Sequence, residues 1–157
     1  MKKFEMIPVG YVKCPELTDS KTPGDKNDRK KYKAEAIINE NLERALDGIE
    51  QFDHVWLLFV FDRNIGKRYD LKLVPHPDPY QREHGLFVTR SPNRPNPIGL
   101  SVVRVLGRNK NILYFENSDI LDGTPLLDIK PYIPYGDSHP HSKAGWLDDV
   151  KDLKQLD

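Results

Sequence analysis

His54-Val55-Trp56-Leu57-Leu58-Phe59-Val60-Phe61 carries the longest apolar run of the chain. It is far shorter than the roughly 20 residues a membrane helix needs. Its Val, Trp and Phe content favours a central, fully buried strand over a helix. Working toward the C-terminus, Leu71-Lys72-Leu73-Val74 and Gly85-Leu86-Phe87-Val88-Thr89 are further strand candidates. Leu100 to Leu106 and Ile112 to Glu116 flank Gly107-Arg108-Asn109-Lys110-Asn111, which predicts a hairpin with a polar turn. Leu126-Leu127-Asp128-Ile129 supplies another strand. Working toward the N-terminus, Asn41 to Gly48 predicts a short helix with Asn41 as N-cap and Gly48 as its stop. Lys33 to Asn39 predicts a strand, although a helix fits its pattern too. Met6 to Val12 predicts a first strand, placed by Pro8 at an edge or a bulge.

No strand-helix-strand alternation surrounds the central run, and no mid-chain helix is long enough for a crossover. Many short strands with frequent turn residues point to a mainly antiparallel barrel or sandwich. The tail differs. Trp146, Val150 and Leu153 fall at helical spacing, which predicts a terminal helix within 143–157, packed on the body or on a second subunit.

Composition narrows the function classes. The chain has 157 residues, 38% of them hydrophobic and 31% charged, which suits one domain with a packed core. Its 24 basic residues balance 24 acidic ones, so RNA contact would need a local basic patch rather than an overall field. The single cysteine, Cys14, cannot staple the fold, and nothing around it would activate a thiolate. Without a signal-peptide pattern or a membrane span, a cytoplasmic location is expected. His139 and His141 flank Pro140 with no third ligand nearby, so no metal site is expected.

The most unusual segment is Thr89-Arg90-Ser91-Pro92-Asn93-Arg94-Pro95-Asn96-Pro97-Ile98-Gly99-Leu100. Its prolines fix φ near roughly −65° and push Ser91, Arg94 and Asn96 toward extended backbone. A rigid connection between strands would explain the prolines alone. The two arginines and the asparagines add forked donors suited to carboxylates, phosphates and base edges, and a stiff backbone holds them ready at low entropic cost. A second segment, Asp122-Gly123-Thr124-Pro125-Leu126-Leu127-Asp128-Ile129-Lys130-Pro131-Tyr132, begins with a strong turn signal and sets two carboxylates around a short apolar strand. Alone, it reads as a turn and an edge carboxylate. Lys21 to Lys33 is a polar loop with a basic end, read equally well as a solvated loop or a functional one.

Taken together, in this order and spacing, RSPNRPNPIG (90–99), DGTPLLDIKPY (122–132) and FDHVWLLFVF (52–61) resemble the TsaA-like (TrmO) family. The resemblance runs from about Met6 to about Pro134. It implies a single-domain antiparallel β-barrel over 1–157 with a few short helices, not Rossmann-like. The motif-bearing core would span about 6–134 and the helical tail about 143–157. It also implies a homodimer that binds S-adenosyl-L-methionine near the subunit interface and methylates threonylcarbamoyladenosine beside the anticodon of tRNA. Bacterial members often carry a further C-terminal domain, so a single-domain form is expected here. The absence of Gly-x-Gly-x-x-Gly after a strand agrees with a non-Rossmann site.

The same resemblance suggests cofactor contacts from Pro23, Gly24, Asp25, Asp62, Arg63, Arg90, Leu100, Pro125, Leu126, Leu127 and Asp128. Arg90 would pair the methionine carboxylate, and the carboxylates would take ribose hydroxyls or the amine. Arg94 with the basic run Arg29, Lys30, Lys31 and Lys33 would contact tRNA phosphates. No residue is singled out as a catalytic base. Two other classes remain open: a non-enzymatic RNA-binding barrel and a sensor that binds the cofactor without transferring its methyl group.

Overall fold

The computed structural model of the chain describes residues 4–19, 32–76 and 78–150. Six strands close into an antiparallel barrel in the order β1-β2-β7-β6-β3-β8. They are β1 (Gly10–Lys13), β2 (Lys33–Ile38), β3 (His54–Val60), β6 (Ile98–Asn109), β7 (Ile112–Glu116) and β8 (Pro125–Pro131). A separate ribbon pairs β4 (Lys72–Leu73) with β5 (His84–Gly85). Closure selects the barrel from the barrel-or-sandwich alternative and leaves no free edge.

The central run forms β3, but not a fully buried strand. Val55, Leu57 and Phe59 are buried, whereas His54, Trp56, Leu58 and Val60 are half-buried. A small barrel has one interior, so side chains alternate between core and outer wall even where the sequence is apolar throughout. The core adds Val12, Ala36, Val103, Leu113, Phe115 and Leu126, all at 0% exposure. Outside the wall, Trp56 Nε1 donates to Asp137 Oδ2 at 3.0 Å, fixing the helical turn Pro134–Asp137.

Other expectations shift at their boundaries. β1 starts at Gly10, after Pro8, so the proline stands before the strand rather than at an edge within it. Residue 10 has to be glycine-like, because a Cβ there would lie 2.2 Å from the Ile37 carbonyl oxygen. The short helix is a 3-10 helix, Glu40–Leu46. It starts after Asn39, not after Asn41, and Gly48 follows it in the left-handed conformation at φ 85°. Gly85 to Thr89 leaves the strand at once, since Leu86–Val88 is a 3-10 turn. The hairpin turn is shorter than expected. β6 continues to Asn109, with a bulge at Leu106 and Gly107 at φ 148°, so only Lys110 and Asn111 connect it to β7. Within the expected tail, the described residues form the short 3-10 helix Gly145–Asp149. Leu153 lies outside the described residues. Val150 is buried and Trp146 stacks on His84, so this segment packs on the body of the same chain.

Candidate functional site

Barrel topology gathers the motifs. The C-terminal ends of β1, β3 and β7 and the N-terminal ends of β2, β6 and β8 share one rim, as the antiparallel registers require. The connections that follow β1, β3 and β7 therefore start and end there, while residues 39–53 and the Lys110-Asn111 turn occupy the other rim. Asp62, Arg63, Arg90 and Arg94 belong to the second connection, Asp122 to the third, and Lys33 opens β2 at the same rim. Pro23, Gly24, Asp25, Arg29, Lys30 and Lys31 belong to the first connection but lie outside the described residues.

Arg63 ties the three connections together. Its Nε lies 2.6 Å from Asp19 Oδ1, its Nη1 3.2 Å from Asp62 Oδ1, and its Nη2 donates to the Asp122 carbonyl oxygen at 2.7 Å. A planar guanidinium with several donors can do this where an ammonium could not. Its side chain is thus spent on holding the rim. The turn behind it is fixed as well. Asp122 Oδ1 accepts from the Cys14 N–H at 2.7 Å, and the Gly123 N–H donates to Val12 at 2.8 Å with φ at +77°. Cys14 is buried and burial pushes its thiol pKa up, which leaves it a structural residue.

The proline segment is anchored to the same turn. Asn64 Nδ2 donates to Asn93 Oδ1, and the Phe61 N–H donates to the Pro97 carbonyl at 2.7 Å. At its start Thr89 Oγ1 donates to the Leu86 carbonyl at 2.8 Å. At its end Gly99 pairs with Phe59, whose ring would lie 2.2 Å from any Cβ added there. The glycine of the motif is therefore a packing requirement. Among the described residues neither Arg90 nor Arg94 has an ion-pair or hydrogen-bond partner; Arg90 is exposed and Arg94 half-buried. Both cations stand on a braced frame and pair with no anion among the described residues.

Leu100 and Asp128 flank one residue. Leu58 pairs with Leu100 on one side and with Asp128 on the other, so all three share the outer face of the barrel. A bulge helps set this. Phe59 pairs with Leu126 while Leu58 pairs with Asp128, so Leu127 is the extra residue. Bulges re-aim side chains in this way, and here Leu126 stays in the core while Asp128 turns outward. The Asp128 carboxylate accepts from the Ile129 N–H at 2.9 Å and pairs with Lys130 Nζ at 2.7 Å. Pro125 pairs with Tyr11 at the seam with β1.

Beside the proline segment a crevice of about 360 Å³ is lined by Phe87, Arg94, Pro95, Asn96 and Ile98. Phe87 gives no signal in the sequence, where it reads as an ordinary strand residue. A second cluster also went unread. Buried Asp78 accepts from His84 Nε2 at 2.8 Å, Arg82 Nε at 3.1 Å and the Tyr80 N–H at 3.0 Å, and Arg82 reaches on to Asp149 at 2.9 Å. Burial opposes its charge, but the bonds from His84, Tyr80 and Arg82 hold the Asp78 carboxyl well below the usual carboxylate range. Trp146 covers this cluster, its ring 4.6 Å from that of His84, and donates to the Val88 carbonyl at 2.9 Å. Among the described residues no group of three or more His, Cys, Asp or Glu could hold a metal ion. No helix there is long and apolar enough to cross a membrane.

A closed antiparallel barrel with a proline-braced segment at one rim belongs to the antiparallel β-barrel proteins, not to the doubly wound nucleotide folds. The chain belongs to the TsaA-like (TrmO) family: residues 11–138 match the model of the tRNA-methyltransferase O N-terminal domain. It is 39% identical over 141 residues to a "Probable S-adenosyl-L-methionine-binding protein" of Pyrococcus abyssi, covering 90% of this chain and 74% of that one. It is 33% identical to the tRNA (adenine(37)-N6)-methyltransferase of Escherichia coli, covering 93% and 65%. A TrmO crystal structure from Pseudomonas aeruginosa superposes with a TM-score of 0.73 at 32% identity, covering 92% of this chain and 62% of that one. The chain spans 41% of an Archaeoglobus fulgidus relative and 31% of the mouse methyltransferase.

Proposed function

We propose that this protein binds S-adenosyl-L-methionine at the loop-bearing rim and methylates tRNA at N6 of the adenine beside the anticodon, in its threonylcarbamoyl form. The observation that carries this reading is the pair of arginines, Arg90 and Arg94, unpartnered among the described residues, on a braced segment among the rim loops. The printed names of the relatives agree with it. When bound, the sulfonium supplies a methyl group: its S–CH3 bond breaks, an N–CH3 bond forms, and the N6 proton leaves to solvent or a base.

The chain's own residues have mainly to bind and align. Arg90 pairs the methionine carboxylate. Asp128, outward beside Leu58 and Leu100, accepts from a ribose hydroxyl or the amine. Arg63 contributes by holding the loops that frame the pocket. Alignment of this kind can lower a barrier by about 7–11 kcal/mol. Lys33 and Arg94 meet tRNA phosphates, together with the basic residues 29–31. Exposed Ile98, Leu100 and Leu106 on the outer face of β6 supply an apolar surface for a second copy, and light scattering showing a fully active monomer would remove the homodimer. The deciding experiment incubates the protein with tritiated S-adenosylmethionine and bulk tRNA, followed by nucleoside analysis. Label in N6-methyl-threonylcarbamoyladenosine is expected. Binding of tRNA without transfer, and without cofactor binding, would instead favour a non-enzymatic RNA-binding barrel, and cofactor binding without transfer a sensor.

A further inference from the structure

The crevice lined by Phe87, Arg94, Pro95, Asn96 and Ile98 shares no residue with the cofactor contacts proposed above. Phe87 is 78% exposed, yet its backbone is held from three directions. The Leu86 N–H donates to the Leu71 carbonyl at 2.9 Å, Thr89 Oγ1 grips the Leu86 carbonyl, and Trp146 Nε1 grips that of Val88. Leu86 itself is buried at 3% exposure. The turn therefore holds a phenyl ring out toward solvent on a rigid mount. The facing wall is rigid too: the prolines restrict it, and the Ile98 N–H donates to the Asn96 carbonyl at 2.8 Å. The lining also includes half-buried Arg94, without a partner among the described residues.

An aromatic face, an amide fork and an unpaired guanidinium are the elements that bind a nucleotide: a stacking surface, a reader of base edges and a phosphate partner. The volume of about 360 Å³ falls at the small end of the roughly 300–1,000 Å³ that small-molecule sites occupy, which suits one nucleoside. Ile98 and Leu100 are two apart on β6 and both exposed, so the crevice borders the proposed cofactor contacts on the same outer face. A purine base could come from the RNA or from the cofactor's adenosine. The proposed cofactor reading gives the methionine carboxylate to Arg90 and places no cofactor contact in the crevice, which leaves Arg94 for a phosphate of the RNA. We propose that the crevice receives a nucleotide of the RNA substrate, its base stacked on Phe87, its edge met by Asn96 and its phosphate by Arg94. This rests on the proposed function in so far as RNA is the substrate.

The test uses the whole chain with Phe87→Ala and Phe87→Trp. Binding of bulk tRNA is measured by filter retention with saturating S-adenosylhomocysteine. Binding of S-adenosylhomocysteine is measured separately by calorimetry, and KM for tRNA where transfer occurs. Phe87→Ala should weaken tRNA binding and raise KM by about 5- to 150-fold, the factor for one stacked base. Phe87→Trp should restore both, and cofactor affinity should stay unchanged. Because the ring is exposed, thermal melting of both variants should match the parent. Normal tRNA binding by Phe87→Ala would overturn the proposal. So would a loss of S-adenosylhomocysteine affinity with tRNA binding intact, which would assign the crevice to the cofactor's adenine. A wild-type chain that binds no tRNA would overturn it too. If the wild type binds tRNA but transfers no methyl group, the methyltransferase reading falls, and the Phe87 comparison still decides the crevice.

Discussion

Arg63 donates from Nη2 to the carbonyl oxygen of Asp122 across 2.7 Å. One side chain after β3 thereby holds the turn before β8, and through Asp19 it also holds the loop after β1. Arg63→Ala should lose about 1–3 kcal/mol of stability in urea denaturation, discounted to the lower part of that range because the side chain is 32% exposed. Arg63→Lys should recover little, since an ammonium cannot fork across three acceptors. Cofactor affinity measured by calorimetry should fall in both. Unchanged stability with lost cofactor binding would show instead that the guanidinium touches the ligand directly.

Gly99→Ala should cost about 1–3 kcal/mol by overpacking, because the new methyl group meets the Phe59 ring at 2.2 Å. The double variant Gly99→Ala with Phe59→Leu should lose less than the sum of the two single changes. A double-mutant cycle in guanidinium reads this directly, and simple additivity would disprove the proposed contact.

Arg90→Ala should weaken S-adenosylmethionine binding by about 1.5–3 kcal/mol, the range for a hydrogen bond to a charged group, with tRNA affinity nearly intact. Neutralising Lys33 should do the reverse and reduce the salt slope of tRNA binding by about one unit. Calorimetry with each ligand at several salt concentrations separates the two. If Arg90→Ala loses tRNA while keeping the cofactor, the proline segment is an RNA grip.

Asp78 carries the pH prediction. Its folded carboxyl titrates below the ordinary value of 3.8, so the unfolded chain binds more protons as pH falls through that value. The stability it contributes is therefore fully present above about pH 4 and lost progressively below it. Asp78→Asn should flatten the acid limb of a pH-stability curve measured by thermal melting. It should also make Trp146 more accessible to fluorescence quenchers, since His84 and Arg82 lose their shared acceptor. An acid limb identical to the parent's would refute this role.

What the residues revealed in advance follows from how local each cause is. The apolar run 54–61, the β6–β7 hairpin and the stiffness of 92–97 depend on near neighbours, and all are visible in the sequence. The alternation along β3 was not, because Leu58 and Leu57 are equally apolar and only barrel closure separates their faces. The bulge at Leu127 is set by pairing with β3, nearly seventy positions away in the chain, with nothing in Leu126-Leu127 to announce it. The Asp78 cluster joins residues 78, 82, 84, 146 and 149. No spacing among them repeats, so only the folded chain shows the ion pairs. In the tail, the helical spacing of Trp146 and Val150 marks two positions that do pack inward, but around a 3-10 rather than an α-helical turn.

β8 has neighbours on both sides, β1 and β3, and against β1 its register covers only Gly10 with Leu126 and Tyr11 with Pro125. It is the last stave of the barrel to leave the ribosome. Until residue 131 has emerged, the growing chain presents β1 and β3 as two bare sheet edges, each a template for a neighbouring polypeptide. Translation that stalls between β7 and β8 would leave such a species open, because Leu126 and Asp128 arrive only with the closing strand. Closure of the barrel and protection of both edges are therefore gained in a single late event of synthesis.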